Sequence, residues 1–161
     1  MDDGGLRTLL DRARISDVVH RYATAIDRRD WALLETCFTA EMVADFRTFG
    51  VREVFQGPAS EWVRQVRSTI DGCDATQHLS GNHVHEIAGD QATCVSYLRA
   101  EHFLINDRGD DSYTIGGYYT NELVREGEAW KIRKYTLTVT WSRGNRHILS
   151  IATRRASGKA V

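Results

Sequence analysis

Two histidines, His78 and His102, carry the chemistry that this sequence argues most directly. Imidazole is the side chain whose ordinary protonation equilibrium lies near neutral pH, so it can accept a proton and hand it on. His102 closes a stretch of clean alternation, in which Ala92, Cys94, Leu98, Ala100 and His102 fall on one face and Thr93, Val95, Tyr97 and Phe103 on the other. A histidine at the end of an otherwise small, apolar face suggests an enclosed site for acid–base work. His78 stands near the start of the preceding strand, and Ala88-Gly89-Asp90 reads as the tight turn between the two. A hairpin lays the start of its first strand beside the end of its second. The two histidines are therefore expected at one end of one sheet.

The remaining elements must contain that pair. Leu6 to Arg28 reads as a long helix, with Ile15, Val18, Val19, Tyr22, Ala23 and Ile26 as its apolar stripe. Asp27 falls at the edge of this stripe, and periodicity alone does not bury it. Asp30 is placed to cap a short second helix carrying Trp31, Leu34 and Phe38. Val43 to Phe46 reads as a short strand. After the Gly57-Pro58 break, Ser60 is placed to cap a third helix, Glu61 to Ile70. Strands follow: the hairpin Thr76–Phe103, then Tyr113–Arg125, then Ala129–Trp141 across a Glu126-Gly127-Glu128 turn.

In the last strand Trp130 and Ile132 share one parity, whereas Leu137, Val139 and Trp141 share the other. One residue must be absorbed between them, which predicts a bulge near Lys134–Tyr135 and hence a bent sheet. Helices first and strands after imply an α+β fold: a cone-shaped α+β barrel, with N-terminal helices on a strongly curved, mainly antiparallel sheet. The tail beyond 142 has an apolar patch, Ile148, Leu149 and Ile151, expected to pack back, and a basic end expected to fray.

The composition narrows the function. At 161 residues the chain is expected to form one domain, with a core of about 6–142 and a tail of 143–161. A net charge of −1 argues against nucleic acid or an anionic membrane as partner. There is no apolar run of membrane-spanning length, and MDDGGLRTLL is too acidic for a signal peptide. Cys37, Cys73 and Cys94 have neither disulfide-framework nor zinc spacing, which points to a reducing cytoplasm.

Four segments carry a likeness to known proteins: IDRRDW at Ile26–Trp31, ADFRTF at Ala44–Phe49, TQHLSGN at Thr76–Asn82 and AWKI at Ala129–Ile132. Together they resemble the SnoaL-like group of the nuclear-transport-factor-2-like superfamily, and within it scytalone dehydratase and related small-molecule dehydratases. The resemblance runs from about Ile15 to Trp141. It implies the cone-shaped fold and a catalysis in which an aspartate near the end of the first helix, here Asp27, orients a histidine base, here His78. It also implies a second histidine on the following strand, which His102 matches within one residue. This chain departs from that pattern at two hydroxyls, having Ile26 and Phe46 where the family has tyrosines. Tyr22, one helical turn before Ile26, occupies a position where some relatives carry a tyrosine beside the Asp–His pair.

An Asp–His pair can remove a proton α to a carbonyl and deliver it to a departing hydroxyl, with no metal or cofactor. From the residue pattern alone, the plainer reading pairs Asp27 with Arg28 or Arg29 and leaves His78 a satisfied core residue; the resemblance favours the dyad. His102 reads either as a carbonyl-polarising group or as a buried histidine bonded to backbone. Phe46, Tyr119, Asn121, Ile26 and Trp141 are the candidate substrate contacts, although Tyr119 and Asn121 also read as sheet-packing residues. His83-x-His85 has a spacing found in metal sites. No third ligand of the right parity is visible, and both alternate with Val84 as surface residues would, so no metal is expected. Arg143 and Arg146 read as solvated. The expectation is a cofactor-independent dehydratase for a small, apolar, carbonyl-containing substrate of polyketide-like or polycyclic type. An isomerase or cyclase, or a non-catalytic binding subunit, is the alternative. The apolar outer face, Val95, Tyr97 and Phe103, is expected to join copies into a homodimer or homotrimer.

Overall fold

Residues 3–159 are described by the computed structural model. Helix α1 (Asp3–Arg28) opens the chain and buries the expected stripe: Ile15, Val18, Val19, Tyr22 and Ile26 are at most 5% exposed. It ends where Arg29 takes a left-handed backbone (φ 55°), a break that a continuous helix does not tolerate. Asp30 then caps α2 (Trp31–Glu35) by accepting a hydrogen bond from the Leu33 amide, as expected. Strand β1 (Phe38–Asp45) is longer than the alternation predicted and starts at once after α2. A 3-10 turn (Arg47–Phe49) leads to β2 (Phe55–Pro58), which sequence reading took only as a break. Pro58 is tolerated there because β2 is an edge strand. Pro58 also occupies the N-cap of α3 (Ala59–Ile70), which has no side-chain cap, so Ser60 does not play the expected part.

Four long strands complete the sheet: β3 (Ala75–Ala88), β4 (Gln91–Phe103), β5 (Ser112–Glu126) and β6 (Ala129–Gly144). The six strands lie in the order β2-β1-β6-β5-β4-β3. All neighbours are antiparallel except β1 and β6, which run parallel. The fold is α+β, its helices packed on a single mixed sheet that stays open between the β2 and β3 edges. Helix α1 lies over β3 and β6, and α3 over β1 and β2. The face of β4 read as inward is inward, with Ala92, Cys94, Leu98 and Ala100 all buried.

Register slips bend this sheet, one between β1 and β6 at Phe38–Val43 and three more among β3–β6. In β6 the register with β5 slips between Ile132 and Lys134, so Arg133 is the extra residue, next to the expected position. A second slip, between Val139 and Trp141, makes Thr140 extra. A third lies in β3 between Gly81 and Val84, where Asn82 is left-handed (φ 51°). Close approach at the second bulge requires glycine on β5: a Cβ on Gly117 would sit 2.0 Å from the Thr138 carbonyl oxygen. Helix α4 (Ile148–Ala156) follows β6 and buries Ile148, Ile151 and Ala152, so the apolar tail patch packs back as expected. Its basic end is less free than expected, because Arg155 reaches Asp74 at 2.6 Å. Residues 160 and 161 lie outside the described range.

Candidate active site

The last turn of α1 and the start of β3 meet at Asp27 and His78. One carboxylate oxygen of Asp27 accepts from His78 Nδ1 at 2.7 Å, and the other accepts from the His78 backbone N–H, also at 2.7 Å. An ionised carboxylate only accepts, so Nδ1 carries a proton, and in the neutral ring Nε2 is the nitrogen with the lone pair. The His78 side chain is 6% exposed. Burial alone pulls the Asp27 carboxyl upward. The hydrogen bond from the His78 ring, its charge and the His78 amide outweigh that and hold the group below the ordinary carboxylate range. Arg29 does not pair with this carboxylate. Its guanidinium donates instead to the carbonyls of Asp27, Ile70 and Cys73 and to the Thr76 hydroxyl, fastening the end of α1 to α3 and β3.

His78 lines a cavity of about 480 Å³ between the helices and the sheet. Tyr22, Ile26, Phe46, His102 and Tyr119 line the same cavity, so the structure brings together seven of the nine expected site residues once Asp27 is counted behind His78. The His78 and His102 rings stand 5.7 Å apart at a steep angle. Burial, and then the neighbouring His78 charge, push His102 down to about 4. It is therefore a neutral imidazole at pH 7, and its buried Nδ1 has no hydrogen-bond partner among the described residues.

Three phenols stack beside the dyad. Tyr22 and Tyr135 share a hydrogen bond between hydroxyls, and Tyr119 packs on Tyr135 with ring centroids 4.6 Å apart. Burial raises all three, Tyr119 to about 12. They are neutral hydrogen-bond donors at any physiological pH.

Two expected contacts are elsewhere. Trp141 is half exposed on the outer face, because the Thr140 bulge reverses the parity that Leu137 and Val139 establish. There it covers Gly116, where a Cβ would meet the indole at 1.9 Å. Asn121 is fully buried behind the cavity wall, its amide donating to the Cys94 carbonyl at 3.4 Å. His83 and His85 face inward rather than outward, since the β3 bulge shifts their phase.

Other residues at the site were read only as packing or solvated. Trp62 of α3 lines the cavity and packs on Phe46 at 5.0 Å. Tyr135, placed at the bulge, backs Tyr22. Arg146 is not simply solvated: it donates to the Phe49 carbonyl and lies 5.1 Å over the Phe49 ring, closing the rim. Leu149 and Thr153 of α4 complete the lining, so the tail takes part in the site.

Comparison with known proteins agrees with this architecture. A family model described as SnoaL-like domain matches residues 7–136. The Kfla4162 protein of Kribbella flavida is 28% identical in sequence and superposes with a TM-score of 0.84 over 89% of this chain and 99% of that one. A candidate scytalone dehydratase from Novosphingobium aromaticivorans superposes at 0.72, with 15% identity over 86% of this chain and 90% of its own. The hexachlorocyclohexane dehydrochlorinase LinA-type3 of Novosphingobium barchaimii LL02 also superposes at 0.72, with 19% identity over 88% and 94%. At such identities the last two show a shared fold.

Proposed function

We propose that this chain, which belongs to the SnoaL-like domain family, is a cofactor-independent dehydratase of small, largely apolar carbonyl compounds. The observation that supports the reading most is the grip of Asp27 on both N–H groups of His78, which leaves Nε2 as the base beside an apolar cavity. The imidazole takes a proton from the carbon α to a carbonyl. The electrons of that C–H bond form the double bond as the β C–O bond breaks, and the imidazolium returns its proton to the leaving hydroxyl as water. Asp27 fixes the tautomer and balances the transient positive charge, and the negative end of α1 adds to this.

Tyr22 and Tyr119, as neutral phenols, are the groups suited to polarise the carbonyl, in place of the hydroxyls absent at Ile26 and Phe46. Neutral His102 is a second polar contact. A cavity of about 480 Å³ suits a ligand of two or three fused rings, such as a polycyclic or polyketide-like ketone. The two lower-identity neighbours are both named for eliminations, which agrees with this chemistry.

Among the described residues, no helix is long and apolar enough to cross a membrane. The three cysteines are free and buried, which fits the reducing cytoplasm as the working compartment. Leu79, Val84, Tyr97, Phe103 and Trp141 are 41–62% exposed on the outer sheet face, and we assign that face to a homodimer or homotrimer contact.

The test is incubation with a panel of aromatic β-hydroxy ketones in D2O, followed by mass spectrometry. Loss of water that His78→Ala abolishes is the expected result. Deuterium exchange without loss of water would instead identify an isomerase on the same dyad. Binding with neither outcome would leave a ligand carrier.

A further inference from the structure

A second group of ionisable side chains lies outside the cavity, beneath the middle of α1. The β3 bulge at Asn82 turns His83 and His85 inward, and β4 places Cys94 directly across from His85. One potential ligand atom from each of these three residues lies within 4.8 Å of the other two. Tetrahedral zinc sites hold nitrogen at about 2.0–2.1 Å and sulfur at about 2.3 Å, which separates ligand atoms by roughly 3.3–3.6 Å. Side-chain adjustments on the order of 1 Å would close that gap. We propose that His83, His85 and Cys94 bind one zinc-class divalent cation that ties β3 to β4 beneath α1.

Three features of the surroundings carry the proposal. The Ser16 hydroxyl sits 2.9 Å from His83 Nδ1 and 2.9 Å from His85 Nε2, so one hydroxyl from α1 faces both imidazoles. His83 Nε2 is held in turn by Ser80 at 3.0 Å, and the His20 ring lies 4.6 Å from that of His83. His85 Nδ1, by contrast, is sealed from solvent and has no hydrogen-bond partner among the described residues. A buried polar atom without a partner is destabilising, and a missing ion is one of the few physical reasons for one.

The ligand chemistry fits the same class of ion. Two imidazoles and a thiolate form a borderline-soft set that prefers zinc to magnesium or calcium. Burial lowers both histidines, so each presents a neutral ring with a lone pair. Burial pushes the Cys94 thiol up to about 11, so the metal-free residue is protonated and binding must release one proton: the S–H bond breaks, a metal–sulfur bond forms and the proton leaves to buffer. Ser16 is the orienting partner, since its hydrogen bonds already fix both rings. A fourth position is left for a water. The role is structural, because none of these residues lines the large cavity. It is also independent of the dehydratase reading.

The experiment uses the untagged full chain, stripped with chelator and titrated with Co2+ and then Zn2+. One equivalent of cobalt should bind with a thiolate-to-cobalt charge-transfer band in the near ultraviolet, and zinc should displace it. Zinc binding in weakly buffered solution at pH 7 should release about one proton per ion. Cys94→Ser should abolish the band, and His83→Gln or His85→Gln should each weaken zinc at least about tenfold, with circular dichroism confirming that each variant is folded. Exposed His147→Gln serves as the unaffected control. The proposal is overturned if the folded wild-type chain binds neither ion below millimolar concentration. It is equally overturned if binding survives Cys94→Ser unchanged, or if cobalt binds without the sulfur band. Should Cys94→Ser not fold, the band and the proton count in the wild type decide alone.

Discussion

Replacing Asp27 by Asn tests the dyad at its narrowest point. The carboxylate now serves two donors at 2.7 Å each, the His78 ring and the His78 backbone amide, with one oxygen apiece. An amide of the same shape has one acceptor and one NH2 group. If its oxygen faces the ring, the NH2 collides with a backbone N–H whose proton cannot move, leaving a buried donor unpaired at about 1–3 kcal/mol. If its oxygen faces the backbone, the ring can comply by moving its proton from Nδ1 to Nε2. The second arrangement is cheaper, and it destroys the base, because the nitrogen left to the cavity then carries a proton. Turnover should fall by about 10²–10⁴, equivalent to roughly 3–5 kcal/mol of transition-state stabilisation. His78→Ala should cost at least as much, and the double variant little more, since the two residues act as a unit. The tautomer can be read without any substrate, from long-range nitrogen–proton correlations in protein labelled with 15N-histidine. Wild type should show Nδ1–H at His78, and Asp27→Asn should show Nε2–H. A folded Asp27→Asn protein that keeps Nδ1–H, or turns over at the wild-type rate, refutes the reasoning.

Three further outcomes follow from the packing and the charges. Arg125 makes a two-pronged pair with buried Asp11 at 2.8 and 2.7 Å while covering Trp130, so Asp11→Ala should cost about 3–5 kcal/mol in urea unfolding. The Arg125 hydrogen bonds hold Asp11 below its ordinary value; that stability is present above about pH 4 and is lost as pH falls through the folded value, so Asp11→Asn should flatten the acid limb of the stability curve. His102 acts in the same direction over a higher pH range: its folded value of about 4 lies below the ordinary 6.5, so the unfolded chain binds the extra proton. Stability should therefore decline from pH 6.5 towards pH 4 by up to roughly 3 kcal/mol, a loss that His102→Phe should relieve in thermal melts across that range. Gly117→Ala should lower the melting temperature by several degrees, because its Cβ meets backbone that cannot step aside, whereas Gly81→Ala, with open space around it, should not.

How far the sequence could be read depended on phase. Where alternation runs unbroken, as from Ala92 to His102, period-2 reading placed each side chain on the face it occupies and brought His78 and His102 to one end of the sheet. The long first helix was equally legible, because its stripe is apolar over many turns. Asp27 was not legible by periodicity. A carboxylate at the edge of a stripe looks the same whether it meets solvent or a ring 51 residues away, and only the family likeness singled it out.

The residues assigned to the wrong face of the sheet, Trp141, His83 and His85, share one physical cause. Each lies at or just beyond a bulge, where one unpaired residue exchanges the two faces. The Arg133 bulge could be found because apolar residues stand on both sides of it and visibly change parity. The Thr140 bulge leaves no such trace: the residues after Trp141 are Ser, Arg and Gly, which keep no inward face to count from. The β3 bulge was findable by another route. Counting outward from the Ala88–Gln91 turn pairs His85 with Cys94 on the known inward face of β4, and opposed residues share a face. Cross-strand pairing from the turn therefore outranks alternation within the strand. In β3 that pairing puts His85 in the interior with the Cys94 thiol directly across from it.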